Sequence, residues 1–203
     1  MTTVFAAGEK SAKTVTHSYT FNMKTTVEQD VWQWITGYVE VNHKFYDYKF
    51  PPCPYARSAR LKGLVDVQAY TSGSALKFIQ QQVSDLLLDR KFNVRVLVFP
   101  AWLRWLKPLH WAINRLNKQL IGDDYYMQYG RAVNTASQYP ELLKGSPYFI
   151  VIINYWPDVV RGVESLSKTA YYTHWPKDHF DAIVTRRQRA LDQYTTRTNN
   201  EVA

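Results

Sequence analysis

Apolar residues along this chain follow two rhythms, and prolines and glycines mark where one gives way to the other. Val27, Val31, Trp34, Ile35 and Tyr38 recur at the spacing of one helical face, and Thr26 followed by Gln29 resembles a capping box. The pattern predicts a helix from residue 26 that fades near Asn42. Leu64 to Tyr70 alternates and reads as a strand. Thr71 or Ser72 is placed to cap a second helix, whose apolar stripe is Leu76, Ile79, Val83, Leu86 and Leu87. Phe92, Val94, Val96 and Val98 then alternate with Asn93 and Arg95, and Pro100 stops the strand. Strand, helix and strand in this order predict a right-handed crossover within one sheet.

Trp102, Leu106, Leu109, Ile113, Leu116 and Leu120 predict a third helix, closed near Gly122, with a kink expected at Pro108. Residues 123–147 lack a clear period and read as a short strand and a loop. Phe149 to Ile153 is a continuous β-rich run, the signature of a strand buried on both faces, and Trp156-Pro-Asp158 ends it. Pro176 opens a C-terminal helix with Phe180, Ile183, Val184 and Leu191. Between the first helix and the first strand, residues 43–62 carry Pro51, Pro52 and Pro54 and read as a stiff, extended loop. The fold predicted is α+β: a small mixed sheet, with strands near 64–70, 92–99 and 148–155, flanked by about four helices. It forms one domain over residues 26–195, preceded by an irregular arm (1–25) and followed by a frayed tail (196–203).

Composition adds three limits. At 203 residues, 46% hydrophobic and 21% charged, the chain is sized for one core and is not globally disordered. Cys53 is the single cysteine, which excludes an intrachain disulfide and a multi-cysteine metal site. The N-terminal residues lack the basic and apolar regions of a signal peptide, and no apolar run is long enough to cross a bilayer, so a cytoplasmic location is expected. The net charge of +8 favours encounters with phosphates, polyanions or anionic surfaces.

The candidate chemistry concentrates first at Cys53. Prolines on both sides fix its backbone, and Arg57 and Arg60 follow closely. Nearby cations favour a thiolate, and the same guanidinium groups suit a carboxylate or phosphate. The plainer alternative is a small apolar residue in a rigid loop. A second cluster is Tyr171-Tyr-Thr-His-Trp-Pro-Lys-Asp-His179, with His174 as a proton-transfer candidate. His174 and His179 lack the spacing of a zinc-binding helix, so no metal is expected. A third is the basic, tryptophan-bearing helix, with Arg104, Lys107, Arg115 and Lys118. It suits a membrane surface or nucleic acid, or else is a core helix whose charged face meets water. Arg186-Arg187-x-Arg189 has the same two readings. No phosphate-binding glycine loop, nucleophile elbow or kinase signature occurs.

Cys53-Pro-Tyr-Ala56 resembles an uncharacterised bacterial family marked by an Asn-Leu-Cys-Pro-Phe-Ala motif. A Trp-bearing helix before it (Trp34), the strand Val94 to Pro100, the segment Tyr155-Trp-Pro-Asp-Val159 and the stretch Thr169 to Pro176 echo that family's later elements, with Trp156 standing where the family carries a histidine. The resemblance implies one domain with a shared site and no particular reaction. The abundance of Tyr, Asn and Thr is similar in style to phage-encoded accessory proteins.

The leading expectation is a small-molecule enzyme or binding protein for an anionic ligand, its cofactor unspecified. Arg57 and Arg60 would hold the anion, Cys53 and His174 would act at the reacting centre, and Trp156, Asp158, Tyr171 and Tyr172 would line the site. The alternatives are a nucleic-acid or polyanion-binding module on the basic helix, and a structural or assembly protein of a phage or bacterium.

Overall fold

The helical spacing that starts at Thr26 becomes α1 (Thr26–Trp34), which runs directly into a π turn over Ile35–Val39. The computed structural model describes residues 26–129, 148–185, 188–189 and 192. The N-terminal arm and C-terminal tail expected from the sequence lie outside the described residues, as do the side chains of His174 and His179 and the pair Arg186 and Arg187.

Among the described residues four strands form one mixed sheet. β1 (Val65–Ala69) pairs in parallel with β2 (Val94–Pro100), and α3 (Ala75–Asp89) connects them; α2 (Ala56–Leu61) precedes β1. β4 (Tyr148–Tyr155) lies antiparallel to β2 on one side and to β3 (Tyr125–Tyr129) on the other, giving the order β1-β2-β4-β3. Alternation along the strands sends side chains to two separate cores. On one face Leu97, Phe99, Met127, Val151 and Ile153 pack with Ile79, Val83 and Leu86 of α3 and with Leu109, Ile113 and Leu120 of α4 (Lys107–Leu120). On the other, Val67, Val96 and Val98 pack with Val31 and Ile35. A third cluster joins Tyr46, Leu166 and Tyr171 away from the sheet.

Arg95 is a charged residue on the α3 side of β2, 5% exposed. Its Nε donates to Asp66 at 2.8 Å across the parallel pair and another guanidinium nitrogen donates to the Gln82 carbonyl at 2.8 Å. Pairing and hydrogen bonding together compensate its desolvation.

The structure revises several local expectations. Trp156-Pro157-Asp158 ends β4 and also starts α5 (Trp156–Ser167), because proline suits the first helical turn and Asp158 complements its dipole. Residues 43–62 are not wholly extended: a 3-10 turn spans Lys44–Tyr46, and α2 begins three residues after Cys53. Ser74, not Thr71 or Ser72, caps α3 by accepting from the Lys77 amide at 3.4 Å. Pro108 does not kink a long helix but sits in the first turn of α4, behind a separate 3-10 turn at Ala101–Trp105. β4 is buried on one face only: Phe149, Val151 and Ile153 are sealed by α3 and α4, whereas Ile150 and Ile152 are half-buried because α1 covers only part of the opposite face. After a 3-10 turn at Ala170–His174, α6 (Lys177–Phe180) follows Pro176 as expected, and a π turn continues it over Asp181–Thr185.

Candidate functional site

The proline loop is braced from three sides. Its Cys53 amide donates to the Val39 carbonyl at 3.1 Å, tying it to the π turn after α1. The Tyr171 hydroxyl donates to the Pro52 carbonyl, and the Tyr55 hydroxyl donates to the Gly162 carbonyl at 3.2 Å. Tyr46 is buried and stacks on Tyr171 with ring centroids 4.6 Å apart, while the Trp175 indole N–H donates to the Tyr46 hydroxyl at 2.9 Å. Burial pushes the Tyr46 phenol up, and it pushes Tyr38, nearby across His43, up to about 12. His43 accepts from the Phe45 amide through Nδ1 at 3.1 Å, which requires that nitrogen unprotonated, and burial lowers its pKa.

These contacts bring the cysteine loop and the 171–175 segment together, as the sequence suggested, but as a packed wall. The Cys53 thiol is exposed. Arg57 is exposed as well. Arg60 is turned away to Glu40, with Nε 2.7 Å from Oε1 and an NH2 contact of 2.8 Å to Oε2. This hydrogen-bonded pair raises the Arg60 pKa. Tyr171 is buried and Tyr172 half-buried in the third cluster. Trp156 and Asp158 belong elsewhere: Trp156 is sealed against Tyr126 at 5.0 Å, and Asp158 accepts from Asn93 at 2.6 Å and pairs with Arg161. Among the described residues no group of three His, Cys, Asp or Glu is placed to hold a metal ion.

A different surface stands out on the 101–120 segment, whose Leu103, Leu109, Ile113 and Leu120 join the core on the α3 side of the sheet. Trp102, Trp105 and Trp111 are 60%, 75% and 64% exposed. Leaving such rings in water forgoes on the order of 3 kcal/mol of burial each. Trp102 and Trp105 are three apart in a 3-10 turn, where such positions eclipse. On α4, Lys107, Trp111, Arg115 and Lys118 are all exposed. By the 3.6-residue repeat they share a sector about 80° wide. The Arg115 guanidinium lies over the Trp111 ring, 5.5 Å from its centroid. Lys107, Arg115 and Lys118 form no salt bridge with a described residue. Arg104 is half-buried and its Nε donates to the Ala101 carbonyl at 2.7 Å, so it contributes to the turn as well as to the charge. Residues 101–120 contain no Asp or Glu.

The sequence placed Trp102 and Leu106 in one helix with Leu109, Ile113, Leu116 and Leu120. In the structure they face outward, because Leu106 adopts an extended backbone (φ −78, ψ 96) that resets the helical phase before α4. Pro108 was the available signal for that break, since a proline has no amide to donate to residue 104 and its ring clashes with that carbonyl in a continuous helix. No helix among the described residues is long and apolar enough to cross a membrane. In comparisons with known proteins, no family model matches the chain, no curated protein matches it and no solved structure matches it.

Proposed function

We propose that this chain is a polyanion-binding module that grips its ligand with the outer face of the 101–120 segment. The observation that carries the reading is the coincidence of exposed Trp102, Trp105 and Trp111 with exposed Lys107, Arg115 and Lys118, on a stretch without a carboxylate. The apolar side of α4 is already spent on the core, so the outer face is free to hold a ligand without unfolding anything. A net charge of +8 adds long-range attraction. Affinity for linear polyphosphate, measured against salt, tests the proposal. The wild type should bind with an affinity that falls steeply as salt rises. The triple variant Lys107→Glu, Arg115→Glu, Lys118→Glu should lose that binding while keeping its circular dichroism spectrum. Equal affinity in the two proteins would end the reading.

A second reading keeps an anionic small molecule at the cysteine loop, and what favours it is the exposed Cys53 thiol on a loop braced by Tyr171 and Trp175. Arg57 is then the anion-binding group, since Arg60 is committed to Glu40. Thiol alkylation that rises with pH along an ordinary cysteine curve, unchanged in Arg57→Ala, would remove it.

A further inference from the structure

We infer that the ligand of the tryptophan face is single-stranded nucleic acid, with bases stacked on the indole rings and phosphates held by Lys107, Arg115 and Lys118. The inference rests on the polyanion reading and narrows it.

Four features argue for it. Trp105 is 75% exposed and Trp111, with Arg115 over one face of its ring, is 64% exposed, so both offer indole surface to water, and every base offers a π face to such a ring. Arg115 over the Trp111 ring places a cation beside that stacking surface, where a phosphate would follow the base. The exposed face of α4 also carries Asn114, between Lys107 and Arg115, and Gln119, just past Lys118, side chains of the kind that hydrogen-bond to bases and sugars. From Lys107 to Lys118 the helix rises roughly 16 Å, the reach of a few extended nucleotides.

The same features disfavour the other occupants. A membrane-surface helix immerses a continuous apolar stripe, and here that stripe (Leu109, Ala112, Ile113, Leu120) is buried against the sheet. Among the described residues of the 101–120 segment, Leu106 and Pro108 are the exposed aliphatic ones. A second copy of the chain would bring the same set of cations against this one. Duplex nucleic acid keeps its base faces stacked inside and leaves the indoles nothing to pair with.

The test measures binding of a fluorescent mixed-sequence oligonucleotide of about ten nucleotides, alongside its duplex form, linear polyphosphate and vesicles containing phosphatidylglycerol. The single strand should bind at least about tenfold more tightly than the duplex or polyphosphate and should quench tryptophan fluorescence. Trp105→Ala and Trp111→Ala should each weaken it roughly tenfold, and Trp111→Phe should restore most of the loss. With three phosphates engaged, log K should fall with log salt at a slope near about −2. Polyphosphate binding without preference for the single strand, and insensitive to the Trp→Ala changes, overturns this inference and leaves the polyanion reading standing. Binding to no polyanion overturns both. Preference for vesicles, or self-association abolished by Trp111→Ala, also overturns it. Unchanged unfolding midpoints of the exposed-site variants confirm that the comparison is between folded proteins.

Discussion

Asn117 on α4 clasps Met127 on the outer edge of β3 at two points. Its Nδ2 donates to the Met127 carbonyl at 2.8 Å, and its Oδ1 accepts from the Met127 amide at 2.7 Å. Asn117 is 5% exposed and Met127 1%. The amide side chain thus supplies what a fifth strand would supply, blunts a sheet edge, and fixes the helix that presents the tryptophan face.

Asn117→Leu should therefore destabilise the protein well beyond an ordinary helix substitution. It leaves a buried amide and a buried carbonyl without partners, at a cost of about 3 kcal/mol. Asn117→Asp keeps one acceptor, loses the donor and buries a charge, so it should be at least as damaging. Urea unfolding gives the energies, and hydrogen exchange at the Met127 amide should quicken selectively. Wild-type protection of that amide in Asn117→Leu would show that the clasp is incidental.

Arg60 and Glu40 make the second prediction. The Glu40 side chain is only 4% exposed and depends on the two-point contact with Arg60. Arg60→Met should lower Tm by several degrees, because it strands a buried carboxylate. Adding Glu40→Gln should recover part of the loss, since the amide buries more cheaply than the charge. Arg60→Lys should recover little, as an ammonium cannot reproduce the fork. Equal Tm for the wild type and Arg60→Met would show that water compensates Glu40.

Much of this fold is readable along the chain, and the failures share a cause. α1, α3 and β2 were visible because their apolar positions keep one period from end to end. The mixed four-strand sheet follows once β2 and β4 are recognised as its centre. α5 was hidden because Trp156-Pro157-Asp158 stops a strand and starts a helix with the same residues; Val160, Val163 and Leu166 carried its stripe. The outward turn of Trp102 was hidden because one extended residue, Leu106, changes the phase. At the cysteine loop, local sequence showed the rigidity but not the fate of Arg60, which is decided by Glu40, twenty residues earlier in the chain.

Tyr38 is one source of stability lost at alkaline pH. It is buried, and desolvation carries its pKa from 10.0 up to about 12. Above pH 10.0 the unfolded chain releases this proton while the folded one retains it, so stability is full below that point and falls as pH rises toward about 12. Tyr38→Phe removes the titration. Between about pH 9 and about pH 11 the wild type should lose more unfolding free energy than the variant, by on the order of 1 kcal/mol. Identical slopes for the two would mean that Tyr38 ionises as freely in the folded protein as in the unfolded chain.

Gly162 and Tyr55 form a coupled pair with an expected sign. Gly162 lies inside α5, where alanine is ordinarily better by about 1 kcal/mol. A Cβ placed there, however, meets the Tyr55 ring at 3.0 Å, and the Gly162 carbonyl accepts from the Tyr55 hydroxyl at 3.2 Å. Tyr55 is 42% exposed, so its ring can swing outward, and doing so forfeits that hydrogen bond and loosens the brace on the cysteine loop. Gly162→Ala should therefore be neutral or mildly destabilising in the wild type and stabilising by about 1 kcal/mol in a Tyr55→Ala background. The cycle also reports on the loop. If Tyr55 braces it, Gly162→Ala should speed alkylation of Cys53 in the wild type and leave the rate unchanged once Tyr55 is gone. An additive cycle, with one alkylation rate throughout, would show that helix and loop are packed side by side without being energetically joined.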